Sequence, residues 1–142
     1  MTISRRRVVA GLGAAALTPI VAGEAFGQSQ SSADRAFAAL AARYIDQSMR
    51  LGPIGATAIG DHRFDTRLDD VSAAGRAANV RFARDVLARL QRIDRAALSR
   101  ANQVDAALLE NALNAQIWQI ETLQSWAWNP LGYQALAGGA LY

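Results

Sequence analysis

Two long stretches with apolar residues at helical spacing, joined by only a few residues, limit most strongly how this 142-residue chain can fold. In the first, Ala83, Val86, Leu87, Leu90 and Ile93 recur at i, i+3, i+4 and i+7, the period of one helix face. That spacing predicts a helix over residues 73–93, with Ser72 as its N-cap. In the second, Val104, Leu108, Leu109, Leu113, Gln116, Ile117 and Ile120 form a broad face on a helix capped by Ser99 and running to about Leu123. Each helix would be roughly 30 Å long. With residues 95–98 as a short connection, an antiparallel hairpin is the favoured way to bury those faces.

A third helix is predicted over residues 33–51, with Ser32 as N-cap and Phe37, Leu40, Ala41, Tyr44, Ser48 and Leu51 on one stripe. Gly52-Pro53 stops it. Residues 54–59 then add one or two turns, closed by Gly60. The expected fold class is all-α, built from long antiparallel amphipathic helices. The segment from Thr122 to Tyr142 carries no charge and holds Trp126, Trp128, Tyr133 and Tyr142, with a turn at Asn129-Pro130 and a flexible Gly138-Gly139 pair. So apolar a segment is expected to lie against more protein, as an incomplete part of a larger helical fold.

The chain has no cysteine, which excludes disulfides, thiolate metal sites and cysteine nucleophiles. Its formal charge of +3 comes entirely from arginines set against acids. Setting aside Arg5, Arg6, Arg7 and Glu24 leaves twelve arginines against eleven acids, with no basic block, so no nucleic-acid partner is expected.

Ser4-Arg5-Arg6-Arg7-Val8-Val9 resembles the twin-arginine export motif in its serine and two arginines, with valines in place of the usual phenylalanine and leucine. The mildly apolar stretch from Val8 to Ala22 has fifteen residues, short of the ~20 that span a bilayer. Residues 1–27 are therefore expected to be a signal peptide and residues 28–35 a polar linker, followed by a helical segment over 36–142. The resemblance implies the twin-arginine translocase as partner, membrane contact only during export, and a periplasmic or secreted location.

The densest polar cluster is Asp61 to Asp70, with the chain's one histidine and four carboxylates. His62 and Asp65 are its candidate residues for a substrate-facing loop, although neither a calcium nor a zinc spacing is present. No catalytic, cofactor-binding or metal-ligating residue is legible elsewhere. There is no G-x-S-x-G, no phosphate loop after a strand, and too few histidines for a zinc site. Glu110 and Glu121, eleven residues apart, read as part of a solvated helix face.

The order of these elements resembles a known family. It runs from Tyr44-Ile45 through Pro53, Ala56-Thr57 and Gly60-Asp61-His62-Arg63-Phe64-Asp65 to Leu68-Asp69-Asp70-Val71-Ser72. It continues through the Leu87/Leu90/Ile93-Asp94 helix, Leu98-Ser99, Asp105, Leu108-Leu109 and Asn129-Pro130. Over Ala36 to Tyr142 the chain is similar to the start of bacterial proteins with domain of unknown function 885. The resemblance implies longer, mostly helical, often exported proteins related to zinc-dependent peptidases, with an H-E-x-x-P-G-H motif far toward the C-terminus. This chain has no His-Glu pair, so no zinc ligand or catalytic glutamate carries over and no cofactor is expected in it. The resemblance implies a non-catalytic N-terminal fragment of a zinc hydrolase, with the missing C-terminal part of the same protein as a further partner. The alternative is a self-contained periplasmic helical interaction or adaptor module.

Overall fold

The computed structural model describes residues 31–141, and every regular element among them is helical. The leader, with Ser4, Arg5 and Arg6, lies outside the described residues. The long elements are α1 (Ser32–Leu51), α3 (Ala73–Leu90) and α4 (Arg100–Trp118), with the short α2 (Pro53–Ala58) between the first two. After α4 come a π-helical turn, Gln119–Leu123, then α5 (Ser125–Trp128) and α6 (Pro130–Leu141).

Helices α3 and α4 form the expected antiparallel hairpin, and α1 packs across both. Pairs across the hairpin run in opposite directions: Asn79 meets Gln116, whereas Arg95, beyond the end of α3, meets Glu110. The core joins Phe37 and Leu40 of α1, Ala83, Val86 and Leu90 of α3, and Ala106 and Leu113 of α4. Leu98, from the connection, completes it. Leu90 and Leu113 are almost wholly enclosed, and burying a leucine in this way stabilises the fold by about 1.5–3 kcal/mol.

Two expected face residues of α4 lie outside this core. Val104 and Leu108 are 44% and 63% exposed, while Ala106 is fully buried. The small side chains of Ala83 and Ala106 let the helices approach closely, so α4 turns a narrower face inward than its apolar residues suggest.

The helix starts are fixed by side-chain oxygens. Ser72 and Ser99 cap α3 and α4 as expected, accepting from the amides of Gly75 and Asn102. The cap of α1 is Ser31, not Ser32, and α1 begins within the stretch read as linker. Ser31 Oγ accepts from the Asp34 amide at 2.9 Å and donates to the Ala97 carbonyl at 2.8 Å, fixing the start of α1 to the Arg95–Ala97 turn.

Asp34 reinforces that junction. Its buried carboxylate accepts from the Asn102 side chain at 2.6 Å and the Ser99 amide at 2.9 Å. These hydrogen bonds, the one from Asn102 foremost, lower its pKa to about 2.

The chain changes direction after α4 by widening its last turn. The π-turn frees carbonyls that two indoles then satisfy: Trp126 donates to Ile120 and Trp128 to Leu123, both at 3.0 Å. Gln124, at φ 50°, makes the left-handed step that starts α5. Pro130 occupies the first position of α6, and Asn129 Oδ1 accepts from the Leu131 amide. The Gly138-Gly139 pair, expected to be flexible, lies inside α6. A Cβ on Gly139 would stand 3.2 Å from the Ile54 side chain, so glycine there permits close packing of α6 on α2.

Candidate functional site

The Asp61 to Asp70 segment is a capped loop held against α1. Asp61 caps the His62–Phe64 turn and forms a two-oxygen pair with Arg63, whose other arm reaches Asp46 of α1 at 2.7 Å. Arg50 closes on the second oxygen of Asp46 at 2.9 Å. Asp46 and Asp61 are held below the usual carboxylate range by these arginine hydrogen bonds, and Arg63 is raised by the same contacts. Phe64 is buried beneath the guanidinium groups of Arg50, Arg63 and Arg67.

His62 and Asp65 are brought together on the outer side of this loop. His62 Nδ1 lies 3.0 Å from Asp65 Oδ2, and the Thr57 hydroxyl donates to Asp65 Oδ1 at 2.7 Å. Asp65 thus orients the imidazole, leaving Nε2 without a hydrogen-bond partner among the described residues. The His62 side chain is 69% exposed and does not line the cleft between α1, α3 and the α5–α6 turn. The arrangement offers an oriented imidazole on an open surface, with no nucleophile hydrogen-bonded to it.

An aromatic-walled cleft lies elsewhere, between α1, α3 and the α5–α6 turn, with a volume of 440 Å³. Its aromatic walls are Tyr44 and Phe82, stacked with ring centroids 5.9 Å apart, and Trp126 and Tyr133. The Tyr133 hydroxyl donates to the Trp126 carbonyl at 2.8 Å, bracing that wall. Asn79 and Gln116 form an amide pair at 3.3 Å across the α3–α4 seam.

Three charged residues complete the lining: Asp69, Asp70 and Arg76. Each carboxylate has one oxygen committed, Asp69 to the Ile54 amide at 3.0 Å and Asp70 to the Ser72 amide at 2.9 Å. Hydrogen bonding from Ser72 holds Asp70 below the usual carboxylate range. Arg76 lies on the Trp126 ring, 3.8 Å from its centroid, and donates to the Val71 carbonyl.

Sequence reasoning placed several of these side chains on helix faces without assigning them a site. The legible signal was polarity in the wrong place, since Ser48 and Gln116 occupy apolar-stripe positions and both line the cleft. Glu110 and Glu121, expected simply to face solvent, pair with Arg95 at 2.6 Å and Arg84 at 2.8 Å. Among the described residues, no group of three or more His, Cys, Asp or Glu side chains could hold a metal ion. The His62–Asp65 pair supplies too few donors for a protein zinc site, so these residues do not fit the zinc implied for the longer proteins.

Comparison with known proteins agrees with the expected family. No curated protein matches the chain. A solved structure of a candidate lipoprotein of unknown function from Shewanella oneidensis is similar, with a TM-score of 0.68 and 31% identity. The similarity covers 72% of this chain and 19% of that one, so the chain spans about a fifth of its neighbour's length. The profile of the family described as bacterial protein of unknown function (DUF885) matches residues 53–141, from the start of α2 to the end of α6. The chain belongs to the DUF885 family.

Proposed function

We propose that the chain is an exported, non-catalytic helical segment of a DUF885-type zinc hydrolase, one that contributes a ligand-contacting wall while the chemistry resides elsewhere. The observation that carries this is a 440 Å³ cleft with aromatic and charged lining, on a scaffold whose described residues include no group of three or more His, Cys, Asp or Glu side chains that could hold a metal ion. The family match and the small share of the Shewanella protein that the chain spans support a place within a longer protein.

Export is supported by Ser4, Arg5 and Arg6 and by the neighbour's description as a candidate lipoprotein, which points to the cell envelope. No helix among the described residues is long and apolar enough to cross a membrane.

Each half has its own test. An epitope-tagged chain should fractionate outside the cytoplasm, and replacing Arg5 and Arg6 with lysine should retain it inside. Indifference to that change would remove the twin-arginine route. With zinc and a panel of peptides and esters, the purified chain should give no turnover above the zinc blank; zinc-dependent hydrolysis would overturn the non-catalytic assignment.

A helical adaptor is favoured by one specific observation. Trp128 and Leu131 are 62% and 66% exposed at the α5–α6 turn, an apolar surface able to receive a partner. In that case Trp128→Ala would abolish partner capture, and intact capture would dismiss the adaptor.

A further inference from the structure

We infer that the cleft between α1, α3 and the α5–α6 turn binds a small organic cation, a protonated amine carried on an aromatic or aliphatic body. This deepens the proposed role as a ligand-contacting wall by naming the ligand class. It depends on the cleft alone, so its failure would leave export and the lack of catalysis to be decided by their own tests.

Size sets the first limit. A volume of 440 Å³ lies at the small end of the ~300–1,000 Å³ typical of small-molecule sites. A peptide strand or a folded partner would not be enclosed, whereas a molecule of one ring and a short chain would.

Charge decides the sign. Two carboxylates and one guanidinium line the cleft. The guanidinium of Arg76 already rests on the Trp126 face and donates to the Val71 carbonyl, so an anion would have to compete with both contacts. Asp69 is less committed. Its Oδ1 accepts the Ile54 amide and its Oδ2 has no hydrogen-bond partner among the described residues, whereas Asp70 is held by the Ser72 side chain and amide and lies within the field of Arg76.

The neutral polar groups point the same way. Gln116 gives its amide N–H to Asn79, leaving its carbonyl oxygen as an acceptor. Gln116 Oε1 and Asp69 Oδ2 thus offer acceptors to a ligand's N–H donors. Tyr44, Phe82 and Tyr133 supply aromatic surface of negative potential that attracts a cation and packs against an apolar body, while Trp126, carrying Arg76 on its ring, adds apolar wall.

The test compares three probes of similar shape by calorimetry and by the shifts of the tryptophan indole N–H signals. They are phenethylamine, 3-phenylpropan-1-ol and 3-phenylpropionate. Phenethylamine should bind the 142-residue chain at least about tenfold more tightly than the propionate, with the alcohol between them.

In the Asp69→Asn/Asp70→Asn double variant the Oδ1 atoms can still accept from Ile54 and Ser72. That variant should still melt cooperatively, at a somewhat lower temperature because the Asp70 carboxylate is stabilised by Ser72, and should lose about tenfold or more in amine affinity. Trp126→Leu should weaken all three probes together. Equal or tighter binding of the propionate would overturn the inference. So would an amine affinity unchanged in the double variant, or no amine binding at about 10 mM.

Discussion

Replacing Gly75 with alanine should destabilise the protein, although the same change usually strengthens a helix. Gly75 is the third residue of α3 and is buried. A Cβ there would stand 2.6 Å from Asp70 Cγ and 2.8 Å from the Asp70 carbonyl carbon, and would fall on the carbonyl oxygen itself. Helix propensity favours alanine by about 1 kcal/mol. Against this, forcing a methyl into occupied space costs about 1–3 kcal/mol or more, because a backbone carbonyl cannot rotate away as a side chain can. Moving the Asp70–Ser72 approach would also stretch the Ser72 cap on the Gly75 amide, and such a cap contributes about 1 kcal/mol. The sum is a net loss of about 1–3 kcal/mol, or roughly 4–12 °C in Tm. Gly55 is the control: it is exposed within α2 and a Cβ would meet nothing within 4 Å. Gly55→Ala should therefore gain about 0.5–1 kcal/mol. Urea unfolding followed by circular dichroism should shift the two midpoints in opposite directions, with little change in slope. A Gly75→Ala protein as stable as its parent would refute the packing described around Asp70.

Acid should weaken the α1–α4 junction, because the Asp34 carboxyl titrates at about 2 in the fold against 3.8 ordinarily. A lowered folded pKa contributes stability that is fully present above about pH 4 and is lost as pH falls toward 2. Asp34→Asn should flatten part of the fall in Tm across that window; an unchanged profile would show that the carboxylate does not serve as the junction's acceptor. Leu113 is fully buried between the helices, so Leu113→Ala should cost about 2–5 kcal/mol in denaturant unfolding. His62→Ala, at an exposed loop position, should change stability by no more than about 0.5 kcal/mol in the same assay.

The sequence determined the framework well where one periodic signal dominated. Phe37 and Leu40, with Ala83, Val86 and Leu90, fall on single helical stripes and occupy the core, and the serines at 72 and 99 cap as their spacing implies. Sequence reasoning failed where tertiary packing chose between local equivalents. Ser31 and Ser32 are both good caps, and Ser31 prevails because its hydroxyl also reaches the Ala97 carbonyl. Val104 and Leu108 have apolar chemistry but the wrong angle, since close approach at Ala106 fixes the rotation of α4. Gly138 and Gly139 have low helix propensity, yet both lie within α6, where Gly139 lets the helix approach Ile54. The cleft was the least legible feature. Its walls come from segments far apart in the chain, Tyr44, Asp70, Phe82 and Trp126 among them, and the π-turn that swings Trp126 back has no distinctive sequence signature.

The most direct measurement of the central claim is zinc stoichiometry by equilibrium dialysis of the purified 142-residue chain. The donor set of the described residues predicts far less than one zinc bound per chain at micromolar free metal, and no change in that number for His62→Ala. One zinc per chain, lost in the His62→Ala protein, would contradict the account and place metal chemistry on the loop after α2.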